Sequence, residues 1–236
     1  MACEALTTGS RALDDLLGLS APSLTVVHGA RGAGKSAVLR AAAVSYAAGC
    51  GRAALASVGF PLSPADLGRA PGDALDRLVL IRIADEGSIV AASRAFALID
   101  FGLVALDDAS DLREASRRAA PLSYLALSIS RAVSSRGLRA LVALRDGPTG
   151  TRGLAYWWPF ADRLVALEAL GGGMHRARSA RGEALFRLVD GSIREPRRGT
   201  RGPRPRTTSR RRTTRTTRSR SRLCRGSRPS TSCPGL

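Results

Sequence analysis

The chain has 236 residues, of which 44% are apolar, enough for one sizeable core and short of any stretch that would span a membrane. The formal net charge of +18 is unevenly placed: beyond Pro196 there are 14 Arg and no acid, so the first 196 residues hold all 19 acids against 23 Lys and Arg, a net of +4. The four cysteines, Cys3, Cys50, Cys224 and Cys233, form no CxxC pair and no Cys/His cluster, which argues against a zinc site and against a disulfide framework.

In chain order, Ser10–Gly18 reads as a short helix with a Ser cap and a Gly stop. The apolar run Leu24–His28 reads as a buried strand, and the Ala-rich stretch Lys35–Ala48 as a helix ending at Gly49. Strands are expected at Ala53–Val58, Leu78–Ile83, Leu103–Leu106 and Leu138–Leu144, with helices at Gly87–Ile99 and Asp111–Ser135 between them. Further strands fall at Arg163–Leu167 and Ala184–Val189. Continuous apolar strands alternating with helices predict an α/β fold, a mostly parallel central sheet covered by helices on both faces. Residues 197–236 contain only Arg, Thr, Ser, Pro, Gly, Cys and Leu, with no helical or strand period, and read as a disordered tail that follows a folded core over 1–196. The tail fits two accounts. An acid-free run of Arg binds nucleic acid phosphates without reading bases, and a translated run of GC-rich sequence would have the same composition.

The strongest chemical signal is Gly29-Ala30-Arg31-Gly32-Ala33-Gly34-Lys35-Ser36, which fits GxxxxGK[ST] (the Walker A pattern) and leads into Ala37. Glycines at this spacing let backbone N–H groups turn toward phosphate oxygens, and the helix that follows directs its positive end at the same anions. The chain contains a single Lys, Lys35, among 36 Arg. A compact ammonium survives at the one place where a phosphate site uses one rather than a planar fork. Lys35 is expected to bridge the β- and γ-phosphates of ATP, and Ser36 to set its hydroxyl on Mg²⁺. The matching acid is Asp107, at the end of the apolar run Leu103-Val-Ala-Leu, an outer-shell acid for the metal acting through water or Ser36; the competing reading has Asp107 or Asp108 cap the following helix.

Several segments together resemble the RecA-type recombinase core, above all the archaeal RadA and RadB proteins. Thr8-Gly9-Ser10 followed by Leu13-Asp14-Asp15-Leu16-Leu17-Gly18 is similar to that family's lead-in to the phosphate loop. Leu103–Leu112 resembles its second acid-bearing strand, and Leu138–Arg145 stands where the family has its next strand. His175-Arg176, Gly182-Glu183 and Phe186 resemble its closing hairpin, so the likeness covers about residues 7–194. The sequence starts directly at this core, which favours a short RadB-like paralogue. The resemblance implies a protein of DNA recombination and repair in the cytoplasm. It would bind ATP and Mg²⁺, contact single-stranded DNA, and pair with a recombinase, with a RecA-like paralogue or with itself.

The departures from the family bear on catalysis. The family's strand after the loop helix ends in a Glu that positions the attacking water, whereas Leu55-Ala-Ser-Val-Gly59-Phe60 offers no acid, so turnover is expected to be weak or DNA-dependent. Asp108 is the candidate substitute base. The family's Asn-Gln pair, which senses the γ-phosphate, stands here as Arg145-Asp146; Arg145 is placed to contact phosphate or is simply solvated. In the segment that matches the family's DNA-binding loop, Arg152, Tyr156, Trp157 and Trp158 suit base stacking, and the competing reading packs both Trp under the sheet edge. A KaiC-like signalling ATPase and a nucleotide-dependent interaction module that does not hydrolyse ATP are the other functions this pattern admits.

Overall fold

The computed structural model describes residues 6–58, 67, 70–116 and 118–196. Helix α1 (Arg11–Leu17) leads to β1 (Ser23–Gly29), α2 (Lys35–Gly49), β2 (Ala53–Val58), α3 (Gly72–Arg77), β3 (Leu78–Ile83) and α4 (Glu86–Leu98). Then come β4 (Leu103–Asp107), α5 (Leu112–Ala115), α6 (Ala119–Arg136), β5 (Arg139–Gly147), β6 (Gly150–Thr151) and α7 (Leu154–Trp157). The described part closes with β7 (Arg163–Gly171), β8 (Met174–Ser179), β9 (Gly182–Val189) and β10 (Ser192–Arg194).

The sheet runs β10-β9-β8-β7-β1-β5-β4-β2-β3, with β6 pairing β5. From β3 through β7 every neighbour on this path is parallel, and from β7 through β10 every pairing is antiparallel. Strands β2 and β4 are buried at every residue, which is why they read as unbroken apolar runs. Their side chains still alternate: Leu55 and Ala105 face the cluster under α1, α2 and α3, while Ala56 and Leu106 face the one under α4 and α6. Helices therefore cover both faces, as the sequence implies.

Three expectations change. The helix expected over Asp111–Ser135 is a 3-10 turn at Ala109–Asp111, the single turn α5, and then α6. Pro121 lies in the first turn of α6, where its ring and missing N–H are tolerated; deeper in one continuous helix it would clash with the preceding turn. Ser10 occupies the cap position of α1 with extended backbone, but its hydroxyl makes no cap bond. The lead-in is instead tied by Asp14, whose carboxylate accepts from Thr7 Oγ1 (2.7 Å), Thr8 N (2.9 Å) and Thr8 Oγ1 (2.6 Å). Cys50, at the end of α2, is disulfide-bonded, a single bond that the argument against a disulfide framework did not foresee, and the other three cysteines lie outside the described residues. The expected tail, and Gly59-Phe60 after β2, also fall outside them.

Candidate nucleotide site

Because β1, β4 and β5 are parallel neighbours, their C-terminal ends open on one edge of the sheet. Open parallel sheets bind ligands at that edge. There β1 releases the loop Gly29–Gly34, β4 ends in Asp107, and β5 carries Arg145 as the register partner of Gly29. Gly32 and Gly34 take positive φ of 81° and 94°, so the loop needs glycine at both. A side chain at Gly29 would strike the Leu167 carbonyl oxygen of β7, so the loop lies close on the neighbouring strand. Helix α2 begins at Lys35, giving the loop a helix N-terminus of 15 residues.

Lys35 is buried, and its Nζ donates to the carbonyl oxygens of Gly29 (2.9 Å) and Ala30 (2.8 Å) within the same loop. Burial pushes its pKa below the usual lysine value, while Asp108 and Asp107 push back. Asp107 is 4% exposed, and burial raises its pKa; the Ser36 hydroxyl and the Asp108 backbone N–H (3.0 Å) stabilise the charged form against that shift. The donor set fits a hard divalent cation: a buried carboxylate bonded to a half-buried hydroxyl. A cleft of about 630 Å³ opens here, lined by Arg31, Gly32, Gly34, Lys35, Ser36, Ala37, Asp108, Asp111, Glu114 and Arg145, and Asp107 lies behind it, bonded to Ser36. Arg31 and Gly32 are exposed at its rim, and Ala33 is buried beneath the loop. The residues expected to hold the nucleotide or metal thus lie on the loop, in the first turn of α2 and at the end of β4.

Asp108 lies at the mouth of this cleft in left-handed conformation (φ 52°). Arg145 Nη2 reaches its Oδ1 at 3.4 Å and Asp111 Oδ2 at 3.3 Å. Arg145 is thus neither free in solvent nor distant from the loop. On β2, the last described residues are Ser57, opposite Asp107, and Val58, and neither is an acid.

Other contacts carry no local sequence signal. His175 on β8 is 7% exposed, stacks on Phe186 with ring centroids 5.3 Å apart, and lies 3.1 Å from the Ala33 carbonyl oxygen through Nδ1. A carbonyl only accepts, so Nδ1 carries the proton in this bond. His175 is the direct cross-strand partner of Phe186, so the expected closing hairpin forms and reaches under the phosphate loop. On the other flank, His28 Nδ1 meets Asp146 Oδ1 at 3.1 Å, and Thr151 Oγ1 donates to the same oxygen at 2.6 Å. This triad pins the β5–β6 hairpin to the last-but-one residue of β1.

The aromatic segment divides. Trp157 is 1% exposed in the core under α6, whereas Trp158 is 60% exposed. Trp158 lines a groove of about 390 Å³ with Leu16, Arg163 and Arg181. Arg163 pairs with Thr25 near the start of β1, so this groove opens on the opposite edge of the sheet, roughly 15–20 Å from the loop. Packing under the sheet holds for Trp157 and fails for Trp158.

No family model matches the chain, and none of the curated proteins does. Among solved structures it is similar to the crystal structure of the RadB recombinase, with a TM-score of 0.64 and 22% identity, over 81% of this chain and 99% of that one. The chain has a RadB-like, RecA-type fold. At 22% identity the likeness speaks to the fold, and the chemistry has to be argued from the residues of the cleft.

Proposed function

We propose that this chain is an ATP-binding RadB-like protein of DNA recombination and repair, a weak or DNA-dependent ATPase that assists a recombinase. One observation carries the reading: the chain's only Lys, Ser36 and the glycine loop line one cleft at the C-terminal edge of a parallel sheet, with Asp107 bonded to Ser36 behind it. Backbone amides of Gly29–Ala37 hold the phosphates, and Lys35 exchanges the Gly29 and Ala30 carbonyls for phosphate oxygens. Ser36 and Asp107 hold Mg²⁺, which neutralises phosphate charge when bound. Asp108, one of the acids lining the cleft, orients the water.

Exposed Arg152, on the same edge as the cleft, is the contact proposed for single-stranded DNA, with the Arg-rich residues 197–236 adding sequence-independent affinity. The partners proposed are a recombinase, a RecA-like paralogue or a second copy of the chain, in the cytoplasm. No helix among the described residues is long and apolar enough to cross a membrane. The acid-free end of β2 also favours a second reading, a nucleotide-gated module without turnover.

The test is calorimetric titration of the full chain with ATP and Mg²⁺, followed by hydrolysis assays with and without single-stranded DNA. Lys35→Ala is expected to weaken ATP binding at least a hundredfold, the loss of a buried charged partner to phosphate. DNA-stimulated turnover that Asp108→Asn removes supports the ATPase, while binding without turnover leaves the gated module. If the unmutated chain does not bind ATP, both readings fail.

A further inference from the structure

Arg145 combines a fixed backbone with a loosely held side chain. Its N–H donates to Ser110 Oγ at 2.6 Å, and its carbonyl accepts from Arg152 N at 2.9 Å. Its guanidinium is held through a single nitrogen, at 3.4 Å to Asp108 and 3.3 Å to Asp111, and neither contact is the short two-pronged pairing a guanidinium makes at its best. The three side chains are 31%, 27% and 19% exposed, so water reaches all of them. Across the cleft stands Lys35, close enough for Arg145 to help lower its pKa. Two cations thus face the same space, one gripping the loop's own carbonyls and the other parked on two carboxylates.

We propose that Asp108 and Asp111 serve as an internal anion that occupies Arg145 until the terminal phosphate of a nucleoside triphosphate takes it over, so that Asp111 sets how strongly the cleft prefers tri- over diphosphate. The inference rests on the nucleotide-binding reading above. A terminal phosphate presents several charged oxygens to a planar fork and wins over two long single contacts. A diphosphate that ends short of Arg145 leaves the carboxylate pairs in place, because a ligand shifts an equilibrium only by its differential affinity for the two states. Asp111 belongs to neither the loop nor a strand end, so replacing it removes competition without touching the groups that hold phosphate or metal.

Calorimetry of the full chain with ATP and with ADP, each with Mg²⁺, decides the matter. The unmutated chain is expected to bind ATP more tightly than ADP. Arg145→Ala should cut that ratio about tenfold or more through weaker ATP binding, the loss of a charge-assisted hydrogen bond. Asp111→Asn should raise the ratio roughly two- to fivefold, the range for a partly exposed ion pair. Hydrogen exchange gives a readout apart from affinity: amides of Asp111–Ser116 should exchange faster with ATP than with ADP, as Arg145 lets go of that turn. An unchanged ratio in Arg145→Ala, or a lowered one in Asp111→Asn, overturns the proposal, as does equal affinity of the unmutated chain for ATP and ADP. Should Asp111→Asn melt at a lower temperature, the Arg145→Ala ratio alone decides. If the unmutated chain binds neither nucleotide, or Lys35→Ala binds both as well as it does, the nucleotide reading falls and this inference with it. Lys35-dependent binding with an Arg145-independent ratio sinks this inference alone.

Discussion

Asp107 shows how one residue trades stability for a site. Burial raises its pKa, so the charged form costs folding free energy. A raised carboxylate pKa means the folded state binds its proton more tightly than the unfolded state does. The cost is therefore absent at low pH and grows as pH rises from the ordinary carboxylate value, about 3.9, through the raised folded one. Asp107→Asn is expected to melt with the unmutated chain at the acid end and, without nucleotide, about 2–4 °C above it at neutral pH, the shift for roughly 1 kcal/mol in a domain of this size. The same variant should lose the Mg²⁺-dependence of ATP binding. Thermal melts across pH and titrations with and without Mg²⁺ check both halves. His175 is the complementary case, a buried polar group that holds the loop by one bond. His175→Leu leaves the Ala33 carbonyl without its donor and is expected to cost about 1–3 kcal/mol. It should also weaken ATP binding several-fold. His175→Asn, whose amide nitrogen stands near the place of Nδ1, should recover most of the affinity. Equal affinities for Leu and Asn would show that the loop does not depend on this bond.

At the scale of elements, the short segment Leu154–Phe160 carries the chain from the cleft edge of the sheet to the opposite edge, and its two tryptophans part company on the way. Trp157 fills the core beneath α6, so Trp157→Ala should cost about 3–5 kcal/mol, whereas Trp158→Ala should stay within about 0.5 kcal/mol. Chemical denaturation of the two variants separates them. If single-stranded DNA binds on the cleft edge near Arg152, it should leave the fluorescence of Trp158 unquenched; strong quenching would move the DNA path to the groove of Arg163 and Arg181. The His28–Asp146–Thr151 cluster gives the β5–β6 hairpin a mechanical link to the phosphate loop, since His28 immediately precedes Gly29.

At the scale of the whole molecule, the charge is divided between a nearly balanced core and the Arg-rich residues that follow it. Removing residues 197–236 is expected to flatten the dependence of DNA affinity on salt, by about 0.7 in logarithmic slope for each single-strand phosphate that the tail no longer neutralises. ATP affinity should be unchanged, because every group assigned to the nucleotide lies between Gly29 and Arg145. Binding curves at several salt concentrations test the first statement and calorimetry the second. An unaltered slope would favour the account of the tail as sequence without a role in binding.

The sequence by itself determined the parallel strands and the glycine loop between β1 and α2. A strand buried on both faces must be an unbroken apolar run, as β2 is, and both β2 and the edge strand β3 match their expected bounds residue for residue. The glycine pattern Gly29–Ser36 was legible because its residues are consecutive, and Asp107 because it ends an apolar strand. Even the break before α6 could have been read, from Pro121 alone. Only the tertiary structure decided which distant groups meet that loop. His175 lies 142 residues from the carbonyl it contacts, and Arg145 lies 34 residues from Asp111 and 37 from Asp108. No periodicity or spacing encodes such pairs, because strand order in the sheet, rather than order in the chain, sets which strand ends become neighbours. For the same reason two adjacent tryptophans of like chemistry divided between core and solvent: Trp157 ends α7, packed under α6, while Trp158 opens the 3-10 turn that leaves it.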